Sequence, residues 1–241
     1  VRFASLVSIT IHKKWSISKV ITAFIPARRN DDILENKNIL PFADSDLLSH
    51  KIAELKKCSK IRKIIVSSDC KDIGALAQGA GAQFILRPSK LSNLDADFNL
   101  LCEYVASIVD DDHILWAPVT CPLITSSIFD DCIISYFDAI EKGYDSLITV
   151  NKIKRFLLDD NGPLNFRFMR SRRSIDRLPS LYVFVNAVSI CKKSDMAKWK
   201  YNWGRIPYKY QLPGHMQIDI CNEFDYNLSK ILYGVRDEIC N

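Results

Sequence analysis

No apolar run in this 241-residue chain approaches the ~20 residues needed to cross a bilayer, so a membrane-spanning helix is not expected. Paired cysteines are lacking as well. The eight cysteines stand at 58, 70, 102, 121, 132, 191, 221 and 240, without the close doublets of a zinc ribbon or a redox pair. Several lie inside apolar runs, as Cys191 does in VSICKK, where a thiol behaves as a small hydrophobe. Reduced thiols in a cytoplasmic protein are the expected state. No basic stripe marks a nucleic-acid binder: the net charge of +5 is mild and dispersed. Its densest cluster, RFMRSRRSIDR from Arg167 to Arg177, is either a solvated face or a surface turned toward an anion or another subunit. Internal repeats and low-complexity segments are missing. The opening VRFASLVSITIHKKW does not read as a secretory signal, because Ser8, Thr10 and His12 interrupt its apolar part and no small-residue cleavage site follows. Residues 1–19 read as an N-terminal extension.

What is present is an ordinary globular composition, 48% apolar and 25% charged, which argues for a packed domain rather than a disordered or fibrous chain. Residues 20–241 are enough for a single domain. Short strand-like runs recur as VITAFIP, IRKIIVSSD, AQFILRP, HILWAPV and DSLITV. Between them lie segments of helical period: SDLLSHKIAELKKC, CKDIGALAQGAG, FNLLCEYVASIVDD and SSIFDDCIISYFDAIEKG. The alternation predicts an α/β fold with a mostly parallel sheet flanked by helices. Past Val150 it breaks into a charged, weakly periodic stretch, read over residues 151–180 as an arm or insertion. LYVFVNAVSIC then reads as a strand, WKYNWGRIPYKYQLPG as a polar aromatic stretch, MQIDI as a short strand and NEFDYNLSKILYG as a final helix.

In an open parallel sheet ligands sit beyond the carboxyl ends of the strands, where loops converge and helix N-termini present unpaired N–H groups. The chemically unusual residues of this chain fall there. ITAFIPARRNDDILENKNILPF runs from an apolar strand straight into Arg28, Arg29, Asp31, Asp32, Lys37 and Asn38. Ser67, Ser68 and Asp69 end the second strand, Arg87 the third, Thr120 and Cys121 the fourth, and Asp219 lies in MQIDI. Cations on one side and a carboxylate on the other suit a polyphosphate with Mg²⁺. Blander readings stand beside this one. Asp69 fits a helix N-cap, Arg87 a loop brace on a carboxylate, and Asp219 a solvent-facing strand position.

IPAR…KN, IIVSSD, LRPSKL, TCPLI, a VN before an apolar strand and IDI…FD occur in the order found in acylneuraminate cytidylyltransferases. The chain resembles that family over about residues 20–233. The resemblance implies a Rossmann-like nucleotidyltransferase fold with a dimerisation arm and a homodimer. It also implies transfer of CMP from CTP to the anomeric hydroxyl of a sialic-type, nine-carbon acidic sugar, with release of pyrophosphate and use of Mg²⁺. Matched position by position, Arg28 and Lys37 face the triphosphate, Asn38, Arg87 and Ala96 the nucleoside, and Asn186 and Thr120 the sugar. Asp219 is the first of two metal aspartates.

The sequence also departs from that pattern. Asp31, Asp32 and Ile33 stand where the family's first loop carries serine, lysine and glycine. Cys221 replaces the second metal aspartate, Pro118 a glutamine and Ile190 an aromatic. Asp31 or Asp32 then either holds the metal itself or pairs with Lys37 or Arg29. Two alternatives to the sialic-type activity follow: a catalytically impaired nucleotide-binding relative, and a nucleotidyltransferase acting on another sugar or polyol phosphate.

Overall fold

The computed structural model describes residues 20–29, 34–93, 95–167 and 175–236. The N-terminal extension, Asp31, Asp32, Ile33, Phe168, Arg172 and Arg173 lie outside them. Along the chain run β1 (Ile21–Pro26), β2 (Pro41–Phe42), β3 (Ser45–Asp46), α1 (Leu47–Lys56), β4 (Ile61–Ser68), α2 (Lys71–Gly79) and β5 (Gln83–Leu86). There follow α3 (Phe98–Ile108), β6 (His113–Trp116), α4 (Ser126–Glu141), β7 (Ser146–Ile153), β8 (Leu158–Asp159) and β9 (Gly162–Pro163). The chain continues through β10 (Leu181–Lys192), α5 (Lys193–Trp199), β11 (Pro207–Gln211) and α6 (Glu223–Gly234).

Seven strands form one sheet in the order β11-β7-β10-β6-β1-β4-β5, and two short ribbons, β2-β3 and β8-β9, lie outside it. Parallel pairing joins β5, β4, β1 and β6, while β10 runs antiparallel between β6 and β7, and β11 adds parallel to β7. The sheet is thus mostly parallel and mixed, as the strand–helix alternation requires. From β1 the chain moves outward through β4 to β5, then returns to the other side of β1 for β6. The reversal opens a crevice at the carboxyl ends of β1 and β6, the usual ligand position in such sheets.

Period-two alternation divides the central strands between two apolar layers. Ile21, Ala23 and Ile25 of β1 join Leu47, Leu48, Ile52 and Phe129 in the layer carrying α1 and α4, whereas Phe24 meets Cys102, Val105, Trp116 and Met196 on the side of α3 and α5. Burying such a side chain contributes about 1.5–3 kcal/mol, so each strand is stapled from both faces. At Gly74 of α2 the helix packs close on the sheet, where a Cβ would fall 2.6 Å from the Phe84 ring of β5. The cysteines of the described residues are free thiols, and all but Cys221 are buried. No helix among the described residues is long and apolar enough to cross a membrane.

Three sequence expectations are corrected. MQIDI is not a strand: Gly214–Met216 is a 3-10 turn and residues 217–220 have no regular structure. They meet β6's outgoing loop through one backbone bond, from Ile220 N–H to the Thr120 carbonyl oxygen at 2.8 Å, which is too little to make a ladder. The polar aromatic stretch contains β11, an edge strand whose outward residues stay wet. The short helix α5 before that stretch, ending at its first residue Trp199, was not anticipated, because seven residues give barely two turns of period.

Candidate functional site

A cavity of about 330 Å³ opens at the crevice between β1 and β6. Arg28, Lys37, Asn38, Arg87, Ala96, Thr120 and Asn186, drawn from six separate parts of the chain, all line it. The loop after β1 supplies Arg28, and Asn38 pins that loop by donating from Nδ2 to the Arg28 carbonyl oxygen at 2.6 Å. Lys37 and Asn38 sit on a 3-10 turn entered through Asn36 in the left-handed region, φ 52. Asparagine is one of the few side chains that tolerates this backbone.

Arg87 is buried at the end of β5. Its Nη2 donates to the Ser67 carbonyl oxygen at 2.6 Å, and its own backbone N–H donates to Ser68 O at 2.8 Å. The expected carboxylate brace is therefore a carbonyl brace, with Asp69 acting on Arg87 only through the electric field. Burial pulls the guanidinium down to about 10, against the pull of Asp69, and it stays charged at neutral pH. Asp69 is not the N-cap of α2 either. Cys70 occupies that position, while Asp69 Oδ1 accepts from Arg29 N–H at 2.9 Å and ties the first loop to the second.

Asn186 reaches the cavity through a break in β10. The β10-β7 ladder is regular through Phe184 and resumes at Ser189, which pairs with Ile148, so residues 185–188 bulge out of register. Buried Thr149 holds the bulge, donating from Oγ1 to Val185 O at 2.7 Å and accepting from Val188 N–H at 3.0 Å. Nothing in VFVNAV announces this break. Apolar residues that sequence reasoning did not single out complete the wall: Leu91, Phe98, Leu101 and Trp116, with Phe98 edge-on to Trp116 at 5.6 Å. Their alternation and helical period are the same signals as those of core residues.

Asp219 stands apart from this lining. It is half-buried, its neighbour Ile220 bonds the Thr120 carbonyl oxygen, and it acts electrostatically on both Cys121 and Lys51. Cys121 is pushed well above the ordinary thiol range by burial first and by Asp219 second. Lys51, missed at the sequence level, is fully buried and donates from Nζ to the Cys121 carbonyl oxygen at 2.7 Å. Burial draws it down to about 8, while Cys121, Glu54 and Asp219 act upward. A lysine in register with Leu47, Leu48, Ile52 and Leu55 was the available signal.

No group of three or more His, Cys, Asp or Glu side chains among the described residues could hold a metal. Cys221 is exposed, and its backbone N–H donates to Asp225 Oδ2 at 3.1 Å. A magnesium ion bound at Asp219 would have one protein carboxylate and would depend on water and phosphate oxygens for the rest of its shell.

The cytidylyltransferase family model matches residues 22–238. N-acylneuraminate cytidylyltransferase of Escherichia coli O18:K1:H7 (strain RS218 / NMEC) is 29% identical over 216 residues, covering 87% of this chain. The chain spans 51% of that relative's length. Among solved structures, a CMP:2-keto-3-deoxy-manno-octonic acid synthetase complexed with CTP aligns at TM-score 0.67 and 11% identity, over 90% of this chain and 99% of its own. The 4-diphosphocytidyl-2C-methyl-D-erythritol synthase of Anaerococcus prevotii DSM 20548 aligns at TM-score 0.60 and 13% identity, again over 90% and 99%. At such identities these structures establish the fold, and the family match across nearly the whole described chain establishes the lineage: this chain belongs to the cytidylyltransferase family.

Proposed function

We propose that this chain transfers CMP from CTP to the anomeric hydroxyl of an acidic, sialic-type sugar. The observation that carries the reading is the convergence of two arginines, a lysine and three asparagines on one cavity at the reversal point of the sheet. The hydroxyl oxygen attacks the α-phosphorus, the bond to the β-phosphate bridging oxygen breaks, pyrophosphate leaves and the hydroxyl proton passes to solvent. Arg28 and Lys37 neutralise charge on the triphosphate, so the reaction gains chiefly from positioning and electrostatics. Asn38, Arg87 and Ala96 border the nucleoside, with Phe98 and Trp116 as an apolar wall. Thr120 and Asn186 face the acceptor. Asp219 would hold the magnesium ion, whose contribution is to neutralise the departing pyrophosphate. A homodimer, with Arg172, Arg173 or Arg177 reaching the partner's site, belongs to the same reading.

Two named relatives act in the chemistry of acidic sugars and a third in that of a methylerythritol, so the acceptor panel must span these classes. Pyrophosphate release is measured with CTP, UTP, ATP and GTP against nine-carbon and eight-carbon keto acids and a polyol phosphate. Turnover with CTP and a nine-carbon acid is expected. Turnover only with the polyol phosphate would replace the acceptor. Thermal stabilisation by CTP without turnover on any acceptor would favour the impaired-relative reading, which Cys221 motivates. No stabilisation by CTP would remove the cytidine site.

A further inference from the structure

We propose that Lys51 is a positioning residue for the acceptor side of the cavity: its buried ammonium fixes the Thr120–Pro122 turn and so sets where Thr120 stands. The proposal rests on the reading of Thr120 as a residue that faces the acceptor. Lys51 has 0% exposure and lies with Leu47, Leu48, Ile52 and Leu55 on the buried face of α1. An apolar side chain would fill that place without stripping water from an ammonium, a cost that packing alone does not repay. Among the described residues its one hydrogen bond runs from Nζ to the Cys121 carbonyl oxygen at 2.7 Å, and the Phe129 ring 5.2 Å away is a weaker partner. What the buried charge grips directly is therefore the turn.

Two prolines, Pro118 and Pro122, deprive this loop of backbone donors, and three successive carbonyls are held from outside it. Thr120 O accepts from Ile220 N–H at 2.8 Å, Cys121 O from Lys51 Nζ at 2.7 Å and Pro122 O from His50 Nε2 at 3.0 Å. Lys51 supplies the central contact of the three, and a charged donor makes the strongest kind of hydrogen bond. Thr120 is half-buried and lines the cavity with Pro118 and Asn186. On the nucleotide side other contacts do the holding: Asn38 bonds the Arg28 carbonyl oxygen, and Arg87 that of Ser67. Loosening the turn should thus be felt by the acceptor and not by CTP.

The test compares the parent with Lys51→Met, Lys51→Gln, Thr120→Val, Lys51→Met/Thr120→Val and, as a control one turn along the same face of α1, Leu55→Ala. Methionine fills most of the space without the charge or the donor. Glutamine keeps a donor one bond short and serves if the methionine variant does not fold. Hydrogen exchange of the peptide carrying Ile220 N–H should quicken about tenfold against the chain-wide change in Lys51→Met, and not in Leu55→Ala. Steady-state kinetics on the acceptor that the parent uses should show its KM raised about tenfold or more, with KM for CTP within about twofold of the parent. In the double variant Thr120→Val should add less than it does in the parent, because Lys51 acts through Thr120. Parental exchange at Ile220 in folded Lys51 variants, equal rises in both KM values, or full additivity in the double variant would each overturn the proposal. A parent that turns over no acceptor removes the sugar-transfer reading instead. Exchange at Ile220 then decides alone whether Lys51 fixes the turn, a quickened rate upholding it and a parental rate overturning it.

Discussion

Arg87 shows how one side chain serves fold and site together. Its guanidinium bridges β4 and β5 through Ser67 while lining the cavity. Replacing it with methionine removes a buried charge whose desolvation already opposed folding, so unfolding free energy should move by no more than about 1–2 kcal/mol. CTP affinity should fall about tenfold or more with the loss of a charge-assisted contact, read by calorimetry. His50 yields a pH prediction. Burial first, then the Lys51 charge, lower its pKa below 6.5, and its Nε2 donates to Pro122 O at 3.0 Å. The unfolded chain therefore binds the proton more readily than the folded one. This contribution is fully present above pH 6.5 and is lost as the pH falls from there through the lower pKa of the folded chain. Urea midpoints at about pH 5 and 7 should differ less in His50→Gln than in the parent.

Among the elements, β10 carries the most consequence for the site, because its bulge is what turns Asn186 toward the cavity. Thr149 satisfies two backbone groups at the break with a single hydroxyl. Thr149→Val keeps the shape and strands both groups, at a cost of about 1–3 kcal/mol in denaturant unfolding. If the bulge relaxes, Asn186 moves while Arg28 and Arg87 do not. KM for the acceptor should therefore rise several-fold more than KM for CTP, and an equal rise in both would contradict the division of the cavity proposed above.

At the scale of the whole molecule, the start of β10 leaves Tyr182, Val183 and Phe184 exposed while paired to β7, and the segment between β7 and β10 exposes Phe156, Leu158 and Leu164. Phe156 packs on Phe166 at 4.9 Å, yet 41% of it remains accessible. A face of this kind suits a second copy of the chain. Light scattering should give twice the chain mass of 27.6 kDa, and Val183→Asp should shift the population toward the monomer. A monomeric parent at micromolar concentration would remove the homodimer from the functional reading.

The alternation of strand and helix, the parallel sheet and the strand-end position of Arg28, Lys37, Arg87 and Thr120 were all legible in the chain. They follow from hydrophobic period and from the rule that loops at strand ends carry polar side chains. Kinship to cytidylyltransferases was legible in the order of short motifs. Long-range pairing was not. That Arg87 would brace on a carbonyl, that β10 would break at Asn186, that Asp69 would tie two loops instead of capping α2, and that MQIDI would remain outside the sheet each depend on which distant backbone groups come within about 3 Å, a matter of tertiary register. Lys51 illustrates the boundary most sharply. Its place in an apolar stripe was visible from sequence, but whether such a lysine snorkels to water or is sealed against the Cys121 carbonyl and the Phe129 ring depends on what α4 and the loop after β6 pack on top of it.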